Sequence, residues 1–517
     1  MPVLYLLLVL TGCNEKMGKG PSLASNLPMS TPEQQGISSE SIRSLLHSID
    51  TSGQEFHSLI IQKHGHVVTE AYWKPYEAGD KQQLYSLSKS FTSTAIGFAT
   101  DEGLLTVEDP VIKFFPDNLP DTISHNLAAL KVKHLLSMSV GHAEDAIRIL
   151  EASPKGQSWA TTFLALPVAF EPGSQFMYNS GASYMLAAIV QKVTGQSAHD
   201  YLKPRLYEPL SITNTTWTTN DEGINMGASH LRMSTRDIAK FGQFYLQKGK
   251  WNGKQLLSEN WIKEATSKQI SNGNNDSSWG YGYGYQFWLN PPGGFRADGA
   301  FGQFSMVLPD QDLVVNITSE SKDTKTTMQL IWDFVERIKD TIPLKENNEA
   351  YSALQDDIGS LGYHSSKENI SSPMAASLSG KEFVLDSNVF DARSVIFDFE
   401  NDKVLFTVKT KNKPDILIKH GINHWITEDN YKPEAHSLFS LRRIDFDSKV
   451  AASATWQDDS TLVMTWRFIE TVHGDQLICT FNGDKVNIKF KFSVASLQNN
   501  EDERAELNGK LAPFLTK

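Results

Sequence analysis

The sequence predicts an α+β layer domain, one sheet with helices packed on it, followed by an all-β domain, barrel or sandwich. Three observations predict this. A strand pair opens the chain's folded part, a long helical block follows, and alternating apolar runs return at the end. "HSLIIQKHGHVVTEAYW", His57 to Trp73, reads as two strands joined by a turn at Lys63-His64-Gly65-His66. Helical spacing dominates from Ser86 to about Lys268, as in "GASYMLAAIVQKVTG", Gly181 to Gly195, which ends on a glycine stop. "TRDIAKFGQFYLQKG", Thr235 to Gly249, repeats the pattern. Strands are expected again at "GYGYGYQFWL" and at "FSMVLPDQDLVVNIT", Phe304 to Thr318.

The polar, small-residue stretch Leu361 to Gly380 separates this from "SVIFDFENDKVLFTVKTK", "TLVMTWRFIETV" and "QLICTFNGDKVNIKFKFS". Asn482-Gly483-Asp484 supplies a hairpin turn between the last two strands. The expected organisation is therefore residues 30–345 as the first domain, 346–380 as linker and 381–517 as the β domain. No clustered Ser/His/Asp pattern or metal-ligand spacing marks that last domain, which is read as structural or substrate-shaping. Ahead of residue 30, "MPVLYLLLVLTGCNEK" resembles a bacterial lipoprotein signal, with Cys13 as the lipidated residue. Residues 1–13 would be the signal and 14–29 a tether, giving an exported protein held to a membrane by its lipid alone. No Lys or Arg precedes the apolar core, a departure from such signals.

A net charge of −12 and a pI near 5.6 argue against a nucleic-acid partner, which calls for a basic face. Cysteine occurs twice, and Cys479 falls in an expected strand, so the mature chain has no structural disulfide. His64 and His66 lack partners at zinc-like spacing and read as a polar hairpin tip, and no metal is expected.

The chemistry lies elsewhere. In "YSLSKSFTSTAIGFATDEGLL", Ser86 and Lys89 stand three residues apart at the head of an apolar helix. That spacing puts both side chains on one face, about 5–6 Å apart, with Ser86 near the positive end of the helix dipole. A serine nucleophile needs such a neighbouring base and backbone N–H groups to hold an oxyanion. Lysine serves as base only when desolvation or a nearby cation lowers its pKa. Ser319 and Lys322 repeat the spacing in a polar segment and read as a solvated turn. Tyr178, in a short polar loop just before a helix in "FEPGSQFMYNSGASYM", is by itself open to simple packing with its OH in water. It also carries a phenol whose ionised form an adjacent ammonium would favour. In "FRADGAFGQFSMVLPDQDLVV", Gly299 and Gly302 would let backbone approach a ligand closely.

In this order the three segments resemble the serine β-lactamase and penicillin-recognising superfamily. The likeness is greatest to the class C β-lactamase-like serine hydrolases, which include esterases and the 6-aminohexanoate-dimer hydrolase. Ser86-Leu87-Ser88-Lys89 stands for the first motif and Tyr178-Asn179-Ser180 for the second. "LKVKHLLSMSVGH", "YLKPRLYEPLSITNTTW" and "HLRMSTRDIAKFGQFYLQKGKWNGKQLL" also look like the family. The resemblance spans roughly Ser30 to Lys345.

It implies a β-lactamase-like antiparallel sheet with a helical subdomain. It also implies attack by Ser86 on an ester or amide carbonyl, with Lys89 and Tyr178 sharing the proton. Backbone N–H groups of Ser86 and Ala300 would form the oxyanion hole, and Ser180, Asp298 and Gly299 would contact substrate. No metal or organic cofactor is implied. Two departures favour an esterase or amidase over penicillin hydrolysis. Ala297-Asp298-Gly299 has no Lys or His at its first position, and Ser180 stands where Asn is common.

Two other readings stay open: a D-amino-acid peptidase acting on cell-wall peptides, and a recognition module without turnover. A peptidase would need a cation for the terminal carboxylate, and Arg296 is the candidate nearest in sequence. Trp279, Tyr281, Tyr283, Tyr285, Phe287 and Trp288 alternate with glycine, which in a strand would align the tyrosines on one face, either as an acyl-pocket wall or in ordinary packing.

Overall fold

The computed structural model describes residues 27–273, 278–338, 343–363, 372–431, 448–493 and 502–513, and the structural statements below concern these. The expected strand pair forms as β1 (Glu55–Lys63) and β2 (His66–Tyr72). It is joined by four strands from the far end of the domain: β3 (Trp288–Leu289), β4 (Phe295–Gly299), β5 (Gln303–Leu308) and β6 (Leu313–Glu320). The sheet runs β2-β1-β6-β5-β4-β3, antiparallel throughout. The main helices are α1 (Ser39–Thr51), α2 (Ser88–Asp101), α3 (Ser180–Thr194), α4 (Thr235–Leu246), α5 (Thr324–Arg337) and α6 (Asn348–Ser360).

Strand β6 is buried along its whole length because helices cover both faces of the sheet. Its odd positions, Leu313, Val315 and Ile317, meet Ile42, Leu45 and Ile49 of α1 and Met328 and Ile331 of α5 in one core. Its even positions face the other way, where α4 packs on β5, β6 and β1. The 346–380 stretch read as linker begins with α6, whose Ala350, Leu354 and Ile358 recur at helical spacing. Leu354 and Ile358 join the α1 core, and Arg43 of α1 bonds Asp357 at 2.6 Å.

Two sequence expectations fail. "GYGYGYQFWL" is not a continuous strand. Gly282, at φ +123°, and Gln286, at φ +66°, break extended backbone, and only Trp288–Leu289 pairs with β4. The tyrosines therefore do not share a face. Tyr283 turns toward Tyr178 and Trp288, while Tyr285 and Phe287 enter the core beside Trp261 and Tyr245. Nor does Ser319 lie in a solvated turn. It is a fully buried residue of β6, and its hydroxyl donates to the carbonyls of Phe301 (2.7 Å) and Gly302 (3.0 Å).

The C-terminal strands are β7 (Lys381–Leu385), β8 (Ala392–Glu400), β9 (Lys403–Thr410), β10 (Ile416–Ile422), β11 (Ile426–Tyr431), β12 (Ser448–Trp456), β13 (Thr461–Phe468), β14 (Gly474–Asn482), β15 (Lys485–Phe492) and β16 (Leu507–Leu511). Nine of them close in the order β10-β9-β8-β7-β16-β15-β14-β13-β12. A short parallel pairing of β12 with β10 completes the barrel, and β11 lies outside on β12. Phe383, Phe397, Phe406, Trp456, Trp466 and Phe481 help fill its interior. Cys479 is buried in β14, and the β14–β15 hairpin turns at Gly483, as its sequence suggested.

The barrel docks on the first domain through an apolar contact of Tyr76 with Ala451 and Ile469, and through Arg467 to Glu55 at 3.0 Å. Cys13, the leader and residues 14–26 of the expected tether lie outside the described residues. Beyond them, the Ser30 N–H donates to the Val67 carbonyl of β2 at 3.0 Å.

Candidate active site

Ser86 lies in a short 3₁₀ turn, Tyr85–Leu87, that runs directly into α2. Helix α2 is central to the helical block, and every residue from Ser88 to Ala99 is buried. That burial takes Lys89 out of water along with its neighbours, leaving it 2% exposed. Its Nζ lies 3.1 Å from Ser86 Oγ and donates to the Ala228 carbonyl at 2.9 Å. Burial lowers the amine to about 7, against the opposing pull of Asp145 and Asp298. Close to neutral pH, a large share of the molecules then carry an uncharged amine beside the hydroxyl.

Tyr178 reaches the same point from the other side. Lys89 Nζ sits 4.9 Å from its ring centroid, and the phenol hydrogen-bonds Ser86. Burial raises this phenol well above its ordinary value. The bond to Ser86 offsets part of that rise, while Asp298 and Asp145 add to it. At neutral pH Tyr178 is therefore a neutral proton donor. Its loop is held by Asn179, fully buried, which caps α3 through the Ala182 N–H (3.2 Å) and also accepts from the Ala146 N–H at 3.2 Å. Trp288 stacks on the Tyr178 ring at 5.7 Å, and Phe176 and Tyr283 pack edge-on around them. An aromatic wall thus stands beside the hydroxyls.

The third segment arrives on β4. A Cβ at Gly299 would stand 2.2 Å from the Leu84 carbonyl oxygen and 3.1 Å from Leu87 N, so only glycine lets the strand end press on the Ser86 turn. Ala300 follows, exposed, in the turn that leads to β5. Asp298 accepts from Arg296 Nε (2.9 Å) and Trp279 Nε1 (3.0 Å). Arg296 is wholly buried, and its other nitrogens bond the Ser278 and Leu289 carbonyls and Asn290 Oδ1. The candidate carboxylate anchor is engaged inside the protein instead. Ser180 begins α3, its N–H held at 2.8 Å by Asp145 Oδ1. His64 and His66 stay at the hairpin tip, where His66 Nδ1 bonds the His64 carbonyl at 3.0 Å. Among the described residues no group of three or more His, Cys, Asp or Glu side chains could hold a metal ion.

With this geometry, residues 57–338 match the model of the family described as Beta-lactamase. The chain belongs to the beta-lactamase family. It is 23% identical over 292 residues to the 6-aminohexanoate-dimer hydrolase of Paenarthrobacter ureafaciens, a match spanning 52% of this chain and 74% of that one. It is 27% identical over 268 residues to the "Putative D-alanyl-D-alanine carboxypeptidase" of Escherichia coli K12, spanning 46% of this chain and 60% of that relative. Among solved structures, the "Putative 6-aminohexanoate-dimer hydrolase from Bacillus anthracis" shares the fold with TM-score 0.50 and 20% identity, over 62% of this chain and 88% of that one.

The candidate site also brings in residues the sequence did not flag. Asp145, which pins the start of α3 and biases both titrating groups, sits in no motif. The Ala228 carbonyl on Lys89 is a backbone atom from a distant loop, invisible to any residue pattern. Asn179 stands within the second motif, and its place just before a helical run is the sequence signal for a cap.

Proposed function

We propose that this beta-lactamase-family chain is a serine hydrolase that cleaves a carboxylic ester or amide through an acyl-enzyme on Ser86. The observation that carries the reading is the buried Lys89 amine 3.1 Å from Ser86 Oγ, lowered to about 7 by its burial. Ser86 Oγ attacks the carbonyl carbon while its proton passes to neutral Lys89. The oxyanion is held by the backbone N–H groups of Ser86 and Ala300, each such donor contributing about 3 kcal/mol in the transition state. The bond to the leaving group then breaks, and Tyr178 delivers the proton that the departing oxygen or nitrogen needs, recovering one from Lys89. Water attacks the acyl-enzyme, releasing the carboxylic acid and restoring Ser86. The three side chains act as one coupled group.

The aromatic wall of Phe176, Tyr283 and Trp288 favours an apolar acyl group. With Arg296 bound to Asp298, a peptidase reading loses its nearest anchor for a terminal carboxylate, which supports an ester or neutral amide over a carboxyl-terminal peptide. Relatives with hydrolase and carboxypeptidase names support hydrolysis as the reaction class. Attachment to a membrane by a lipid on Cys13 belongs to the same proposal.

Hydrolysis of p-nitrophenyl butyrate by the wild type and by Ser86→Ala tests the reading. Turnover by wild type alone is expected. Equal activity, or equal inertness across a panel of esters and amides, would overturn it.

A further inference from the structure

We propose that the barrel is a working part of the active site, and that His473 is a positioning residue for both backbone segments of the oxyanion hole. The inference rests on the proposed acyl-enzyme at Ser86.

Two residues flank the proposed donors: Tyr85 immediately before Ser86, and Phe301 immediately after Ala300. Both adopt left-handed backbone, at φ +48° and +66°, which is unfavourable for a bulky side chain and persists only where the surroundings enforce it. Side-chain contacts on both residues come from the β13–β14 turn of the barrel. His473 Nε2 bonds the Tyr85 hydroxyl at 2.8 Å, and the Tyr85, Phe301 and His473 rings meet edge-on with centroids 5.1 to 6.2 Å apart.

The imidazole is itself oriented. Its Nδ1 lies 3.1 Å from Glu320 Oε1, which also accepts from Ser493 Oγ at 2.7 Å. A carboxylate there selects the tautomer protonated at Nδ1, leaving Nε2 to accept the Tyr85 O–H. Glu320 ends β6, and its neighbours hold Phe301 by the main chain. Ser319 Oγ (2.7 Å) and the Ser321 N–H (2.9 Å) both donate to the Phe301 carbonyl. Main-chain and side-chain grips on Phe301 thus converge from one strand end. The same barrel turn also reaches the segment before Tyr85, where the Gln83 N–H donates to the Glu470 carbonyl at 3.1 Å and Lys81 pairs with Glu470 at 3.5 Å.

An oxyanion hole works only if both N–H groups point at one spot, so a small displacement of either segment costs turnover more than substrate binding. His473 touches neither substrate nor nucleophile. It acts through Tyr85 and Phe301.

The test is steady-state kinetics with p-nitrophenyl butyrate on full-length wild type, Ser86→Ala, Tyr85→Phe, His473→Ala, the double variant and His473→Gln, with melting temperatures measured alongside. Tyr85→Phe keeps the ring and removes only the hydroxyl, so it remains informative even if His473→Ala unfolds. Tyr85→Phe and His473→Ala are each expected to lose roughly tenfold or more in kcat with KM nearly unchanged. The double variant should be no worse than the poorer single, and His473→Gln, which retains an acceptor, should recover most of the loss. If wild type depends on Ser86 while Tyr85→Phe keeps full kcat, or the two losses simply add, this inference falls and the acyl-enzyme reading stands. If wild type and Ser86→Ala behave alike, both fall together.

Discussion

Lys89 in the first domain and Arg504 in the barrel are both buried cations, held on opposite terms. Arg504 meets Asp475 with two nitrogens at 2.7 Å and Asp502 at 2.6 Å. Burial alone would lower this guanidinium, but its hydrogen bonds to Asp475 and Asp502 outweigh that and hold it above its ordinary value. Lys89 makes no ion pair among the described residues. It faces a hydroxyl, a carbonyl and the ring of Tyr178, and burial brings it down to about 7. A buried charge that is fully matched contributes to the fold. A buried amine left unmatched sheds its proton readily and becomes a base. The difference lies in the neighbours, since both are ordinary basic residues in the sequence.

Substitution by methionine separates the two cases. Lys89→Met should lower kcat/KM by roughly 10²- to 10⁴-fold, the usual range for losing a general base. Only a small loss in melting temperature is expected, because the change leaves the Ala228 carbonyl without its donor but strands no buried charge. A large drop in stability would mean that Lys89 is structural, and the contrast with Arg504 would fail. Arg504→Met strands Asp475 in the barrel and should cost about 3–5 kcal/mol in denaturant unfolding. An unchanged midpoint would show that the pair is not what holds that end of the barrel. Tyr178→Phe keeps the ring against Trp288 and removes the proton donor, so kcat should fall roughly 10²-fold with little change in stability. At the small end, Ser38→Ala removes the cap on the Ser41 N–H of α1, far from the site. It should cost about 1 kcal/mol of stability and leave kcat unchanged. An effect on kcat there would mean that activity merely tracks stability.

The parts of the molecule that were legible in advance are those written in local patterns. The β1–β2 hairpin, α3 with its glycine stop and the β14–β15 turn follow from alternation, spacing and turn residues. Ser86 and Lys89 were legible because their spacing is itself the geometry. The tyrosine run misled because its alternation mimics a strand, while Gly282 and Gln286 adopt backbone that a strand excludes. Helix α6 was missed because its apolar positions are few and widely spaced among acidic residues. The contacts of Asp145, Ala228 and His473 join segments far apart in the chain, and nothing near them in sequence records the meeting.

The pH dependence of Ser86 labelling by a fluorophosphonate tests the central claim most directly, because the fluoride it expels leaves without needing a proton from Tyr178, so the rate reads activation of the nucleophile. In the proposed mechanism the neutral amine is the working form, and protonation below its pKa removes the base. The labelling rate of wild type should therefore rise with pH through a midpoint of about 7 and then level off, and Lys89→Met should lose that transition. A profile that is flat from about pH 5 to about pH 9, or one that rises only toward the ordinary lysine value, would contradict the assignment of Lys89 as the group that activates Ser86.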